Sequence, residues 1–160
     1  MKVRATLVAI LLAALTACSP AGKAAEPDPV DTYRVLVDWL VSTDMGLNQD
    51  GIFAIDVSDT GLPEPDRLFQ ALAADPRYQH WQMMSTTRAE LTAEGLIVDD
   101  GMWFPHGFLI EFSNPSITAD KVTVKGSKWV SGLGAIYATL TADWKDGAWI
   151  MGEVTDMAIS

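Results

Sequence analysis

The chain has 160 residues, with 11 basic and 21 acidic side chains and a formal net charge of −10 at pH 7. Such a negative charge disfavours contact with phosphate backbones and anionic lipid heads, so nucleic acid is not an expected partner. A single cysteine excludes an internal disulfide, a zinc site built from several cysteines and an iron–sulfur cluster. Without residues 1–28, which are described below, about 130 residues remain, and this is enough for one domain with its own core.

Residues 1–17 have the pattern of a secretory signal peptide. Lys2 and Arg4 supply a positive start, and an apolar run over 7–15 follows. This run is shorter than the roughly 20 residues that a membrane-spanning helix needs. It ends in Leu15-Thr16-Ala17-Cys18, in which small residues lead up to the cysteine.

The Leu-Thr-Ala-Cys motif resembles the lipobox of bacterial lipoproteins, over a stretch that ends near Pro20. The resemblance implies that Cys18 is lipidated, becomes the first residue of the mature protein and attaches it to a membrane of the cell envelope. Because one acyl chain gives only marginal membrane affinity, stable attachment implies more than one. Ser19 after the cysteine favours the periplasmic face of an outer membrane where the cell has one. An ordinary signal peptide with an incidental thiol is the alternative.

Residues 18–28 are expected to be a lipidated flexible tether, and residues 29–160 a single globular domain. The tether is rich in proline and has no hydrophobic periodicity. Asp28-Pro29 is a helix start, with a capping aspartate and a proline in the first turn. Apolar residues at helical spacing follow, which predicts an amphipathic helix over 29–43.

Shorter elements are predicted between residues 52 and 95. The β-branched and aromatic stretch 52–57 and the stretch 81–85 predict strands. Pro65-Asp66 opens a second helix, which ends at Asp75-Pro76. Thr87-Arg88-Ala89-Glu90 fits a capping box before a short helix that ends at Gly95, and an irregular connection is the alternative.

Strands dominate from Phe108 onward, because apolar and polar residues alternate there. Asn114-Pro115-Ser116 predicts a turn, and the glycine- and serine-rich stretch 126–134 predicts a connection. Asp146-Gly147 is a strong signal for a two-residue hairpin turn. That turn places Trp144 opposite Trp149, and residues 149–159 form the last predicted strand.

Early helices and late consecutive strands predict an α+β fold: an antiparallel sheet with the N-terminal helices packed on one face. The layout looks like small bacterial domains of cystatin-like or nuclear-transport-factor-like shape. Four short motifs over 51–160 also resemble those of a group of small uncharacterised bacterial proteins. They are Ile52-Phe53-Ala54-Ile55, Ser131-Gly132-Leu133-Gly134-Ala135, Asp146-Gly147-Ala148-Trp149 and Ile159-Ser160. This resemblance implies no activity and no functional residues.

His80 and His106 are the histidines of the chain, and Asp99, Asp100 and Glu90 are the carboxylates considered with them. Together they would offer nitrogen and oxygen ligands to a metal ion. No His-x-x-x-His or His-x-Glu spacing supports such a site, so two separate loop histidines are the favoured interpretation. Neither a metal nor another cofactor is therefore predicted.

No catalytic residue is assigned from the sequence. A Gly-x-Ser-x-Gly motif is missing, and the glycine-rich stretch 131–134 precedes a predicted strand, whereas a phosphate cradle needs a following helix. Glu153 alternates with Trp149 and Met151, which makes it a candidate for an inward-pointing pocket carboxylate and general base. A one-residue β-bulge would instead turn its side chain to solvent.

The chain has six tryptophans, which favour either a large core or a binding surface. Trp103 and Trp129 lie in or beside predicted loops and are expected at the surface. Trp103 shares an aromatic turn with Phe104 and His106. The candidate binding surface therefore consists of Trp103, Phe104, His106 and Trp129. A plug that covers one end of the core is the alternative role of this turn.

The leading functional hypothesis is a membrane-anchored envelope lipoprotein that binds a protein or peptide without catalysis. One specific form is an immunity or inhibitor protein held against an incoming toxin. The alternative is a small-ligand-binding or enzymatic domain, with a pocket between helix 29–43 and the sheet that uses Glu153 or His106. A structural envelope component is the third hypothesis.

Overall fold

A computed structural model describes residues 26–160, so the predicted signal peptide and Cys18 lie outside the described residues. The helices within 26–160 are α1 (Pro29–Ser42), α2 (Pro65–Ala73) and α3 (Arg88–Ala93), and a short 3₁₀ helix, Met45–Leu47, follows α1. The strands of the same region are β1 (Ile52–Asp56), β2 (Gln82–Ser85), β3 (Gly107–Ile117), β4 (Lys121–Ser131), β5 (Gly134–Lys145) and β6 (Ala148–Ile159).

The strands form one sheet in the order β2-β1-β3-β4-β5-β6. Strand β1 runs parallel to both β2 and β3, and the remaining neighbours are antiparallel. The predicted α+β class is therefore confirmed. The expectation of an antiparallel sheet is wrong for β1 and its two neighbours. The connection through α2 carries the chain back to the end of the sheet where β1 begins, so β2 runs parallel to β1.

Helix α1 forms where the local signals place it. The Asp28 carboxylate accepts a hydrogen bond from the Val30 N–H at 2.9 Å and so caps the helix, and Pro29 occupies the first turn. Its apolar stripe, which includes Leu36 and Leu40, is fully buried against the sheet.

The space between α1 and the middle of the sheet is a filled hydrophobic core. Phe108 and Ile110 of β3 and Leu140 of β5 point into it and are completely buried. This core leaves no space for a ligand pocket between α1 and the middle of the sheet.

Helices α1 and α2 share one face of the sheet, as expected, whereas α3 packs on the opposite face. The predicted capping box is present: Thr87 Oγ1 accepts from the Glu90 N–H at 3.2 Å, and Glu90 Oε2 accepts from the Thr87 N–H at 2.8 Å. A second, smaller core lies beneath α3. Its buried members are Ala54, Leu91, Ile97, Phe104, Leu109, Trp129 and Ala135.

Two predicted connections are in fact parts of strands. Asn114 has a φ of 53° and lies at a register shift within β3, so Asn114-Pro115 forms a β-bulge and not a turn. Gly126 lies inside β4, where a Cβ atom would come within 2.7 Å of Leu140 Cδ1. This glycine is needed for close packing under the helix, and the connection between β4 and β5 is only residues 132–133.

The predicted hairpin between β5 and β6 is confirmed. Asp146 and Gly147 have φ values of 53° and 82°, as a type I′ turn requires. Trp144 pairs with Trp149 across the hairpin, and the centres of the two rings lie 5.6 Å apart.

Candidate functional site

Several connections meet at one end of the sheet, which we call the loop end. The Gly132 N–H donates to the Met102 carbonyl at 2.9 Å, and Trp103 forms β-bridges with Val98 and Ser131. These contacts join the segment 98–106, which leads into β3, to the turn between β4 and β5. The C-terminal end of α1 lies at the same end of the fold.

Three apolar side chains project from the loop end, and we call Met102, Trp103 and Leu133 the apolar tip. Trp103 is 45% exposed and Leu133 is 90% exposed. The backbone before the tip adopts positive φ at three successive residues: 53° at Asp99, 55° at Asp100 and 86° at Gly101. Such conformations are costly for residues other than glycine and persist where the surrounding structure holds them, often at functional sites.

The apolar tip stands on buried aromatic side chains, and this corrects two predictions. Phe104 is fully buried and its N–H donates to the Val130 carbonyl at 2.8 Å. Trp129 is only 2% exposed, because it lies in β4 on the face that α3 covers. The surface positions expected for these two residues are therefore wrong, and they support the tip from below.

His106 is exposed at the loop end, directly before β3. Its carbonyl accepts from the Ile52 N–H at 2.8 Å, which fixes the backbone at this point. Trp103 and His106 are thus the two predicted surface residues that the structure brings together at one exposed end.

Glu153 is exposed on the edge strand β6, so its predicted position inside a pocket is wrong. The register of β6 against β5 shifts opposite Leu140 to Ala142, next to this residue. The shift agrees with the alternative considered from the sequence, a bulge that turns the carboxylate to solvent.

The two histidines lie in different surroundings. The His80 ring contacts the Trp81 ring at an interplanar angle of 40°, with ring centres 3.8 Å apart, in the segment before β2. Within residues 26–160, no group of three or more His, Cys, Asp or Glu side chains is arranged to hold a metal ion.

A cavity of about 540 Å³, with both polar and apolar walls, lies on the half of the sheet that α3 leaves open. Glu111, on its wall, accepts at Oε2 from Arg88 at 3.3 Å and from Ser127 Oγ at 3.2 Å. The Arg88 guanidinium also lies 3.9 Å from the centre of the Trp129 ring. Asp56, Lys125, Tyr137 and Asp156 line the rest of the cavity. Sequence reasoning missed this site, although the alternation around Glu111 already placed that residue on the face away from Phe108 and Ile110.

A buried lysine links the loop end to the helix layer. Lys128 is fully buried, and its Nζ donates to the carbonyls of Thr43 and Asp44 and to Asn48 Oδ1. Burial lowers the pKa of this lysine to about 8, and the nearby Asp44 charge opposes that shift. The three acceptors satisfy all three ammonium donors, so the side chain fixes the backbone after α1 to the middle of β4.

Comparisons with protein-family models, with curated proteins and with solved structures find no match to this chain. Among the helices of residues 26–160, each is too short or too polar to cross a bilayer.

Proposed function

We propose that the protein is a lipid-anchored protein of the cell envelope that binds a protein partner through the apolar tip and catalyses no reaction. The Leu15-Thr16-Ala17-Cys18 motif supports attachment through Cys18. The observation that carries the binding role is the exposure of Met102, Trp103 and Leu133 at the end of the fold opposite the tether.

The tether and the apolar tip lie at opposite ends of the fold, which supports attachment at one end and partner binding at the other. The chain enters at Pro27, beside Ile117 and Val122 at the start of β4. The apolar tip lies beyond Ser131, at the other end of the same strand. An 11-residue strand spans about 36 Å, so the tip is far from the tether. A surface placed there suits a partner that approaches from the aqueous side.

The chemistry of the tip indicates the kind of partner. Exposed aromatic and large aliphatic side chains provide most of the binding energy where they enter an apolar pocket. Asp99 and Asp100 flank the tip and are exposed, so basic residues around that pocket would be complementary. The backbone contacts at Gly132 and Trp103 hold the tip before binding, which reduces the entropy lost on association. An immunity or inhibitor protein is one specific form of this function.

The cavity beside Glu111 supports a second candidate function, the binding of a small ligand. Its volume of about 540 Å³ is in the range of ligand sites. The Glu111 carboxylate is already fixed by Arg88 and Ser127, so it would present a positioned acceptor to a cationic group. A small molecule that co-purifies with the protein and is lost in Glu111→Gln would favour this candidate.

Site-specific photocrosslinking in intact cells tests the leading proposal. A photoreactive amino acid at Leu133 should give one discrete adduct with another protein, and the same group at the exposed Asp66 of α2 should not. Equal adducts from both positions, or none from position 133, would contradict binding through the tip.

Cell fractionation tests the anchor separately. Wild-type protein should remain with membranes, and Cys18→Ala should be released from them or stay unprocessed. Membrane attachment that persists unchanged in Cys18→Ala would refute the lipid assignment.

A further inference from the structure

A second cavity lies at the tether end of the fold and is mainly apolar. It is a cleft of about 390 Å³ between the first turns of α1 and the hairpin that joins β3 to β4. We call it the tether cleft. Its apolar walls come from Pro27, Pro29, Tyr33, Ile117, Val122 and Trp149.

The lining of the tether cleft indicates the kind of ligand that it fits. Its walls are mainly apolar, so they fit a hydrocarbon chain.

We propose that one fatty acyl chain carried by Cys18 lies in the tether cleft, against its apolar walls. This inference rests on the proposed lipidation of Cys18. The peptide from Cys18 to Glu26 extends over at most roughly 28 Å, so the acyl chain can reach a cleft whose wall begins at Glu26 and Pro27. A short flexible link also gives a high effective concentration, which favours an intramolecular ligand over a free one.

Occupancy of the tether cleft would hold the body of the protein against the membrane by its tether end. The apolar tip would then point away from the bilayer. The remaining acyl chains on Cys18 would supply the membrane attachment.

Metabolic labelling with a photoreactive fatty acid tests this proposal on the full lipidated protein in nanodiscs. After irradiation and proteolysis, mass spectrometry should find intramolecular crosslinks from the acyl chain to residues 117–122 and 27–33. Ile117→Asp places a charge at the mouth of the cleft and should reduce these crosslinks at least fivefold. Ile159→Asp is the matched control, because both isoleucines are 58% exposed and Ile159 lies at the opposite end of the sheet.

The intact mass of each sample separates the two levels of the proposal. If no acyl chain is present, the anchor itself is refuted and this inference falls with it. If the acyl chains are present but the crosslinks go only to nanodisc lipid, or if Ile117→Asp and Ile159→Asp behave alike, the occupied cleft alone is overturned.

Discussion

The buried ammonium group of Lys128 predicts how the stability of the protein changes with pH. Its folded-state pKa of about 8 lies below the value of 10.5 of an exposed lysine, because burial disfavours the charged form. Between these two pH values the unfolded chain binds more protons than the folded one. The free energy of unfolding contributed by Lys128 therefore rises with pH across this window and is constant below it.

The size of the effect follows from the difference between the two pKa values. One pKa unit corresponds to about 1.4 kcal/mol, so the full shift corresponds to about 3 kcal/mol between pH 8 and pH 10.5. Burial also raises the pKa of Tyr33 and Tyr78, and these groups reduce stability above pH 10. The comparison with Lys128→Met removes their contribution, because both proteins contain the same tyrosines.

Urea denaturation followed by tryptophan fluorescence at pH 7, 8, 9 and 10 measures this difference. The stability of wild type minus that of Lys128→Met should be constant from pH 7 to just below pH 8 and then rise by about 2–3 kcal/mol by pH 10. A difference that stays constant over the whole range, or that falls as the pH rises, would refute the assignment of a buried, charged Lys128. Lys125→Met is the control, since Lys125 is exposed on the opposite face of the same strand.

Three further substitutions test other parts of the fold. Thr87→Ala removes the hydroxyl that accepts from the Glu90 N–H, so urea denaturation should show a loss of about 1 kcal/mol, whereas the exposed Thr92→Ala should change stability less. Gly107→Ala brings a Cβ within 2.4 Å of the Ile52 carbonyl oxygen and should lower the melting temperature more than Gly95→Ala, which adds only backbone strain of about 1 kcal/mol at a φ of 73°. Glu111→Gln weakens a partly exposed ion pair with Arg88 and should reduce stability by about 0.5 kcal/mol. Because salt screens this pair, the difference in stability between wild type and Glu111→Gln should become smaller in about 1 M salt. A difference that salt leaves unchanged would contradict this explanation.

The elements that were predictable from the sequence are those fixed by neighbouring residues. Asp28-Pro29 and the stripe that follows place α1 within one residue of its observed end, and Asp146-Gly147 defines its hairpin. The capping box at Thr87 also depends only on residues that are close in the sequence. Local hydrogen bonds and backbone angles decide each of these elements, so tertiary packing does not override them.

The errors arise where distant contacts decide the structure. Gly126 suggests a loop by composition, yet it lies in a strand because Leu140 leaves no space for a side chain. Trp129 is buried because α3 crosses the second face of the sheet, which no pattern around residue 129 reveals. The parallel pairing of β1 with β3 joins segments separated by two helices and a strand, so the cavity beside Glu111 could not be predicted either.

The most direct test of the proposed function is the affinity of the crosslinked partner, once isolated, for variants of the apolar tip. Leu133→Asp changes the most exposed tip residue and should weaken binding at least about tenfold, as the loss of a central apolar contact does. Ile150→Asp, a similar change on the surface of β6, should leave the dissociation constant unchanged. Equal affinity for wild type and Leu133→Asp would contradict the proposal that the apolar tip binds the partner.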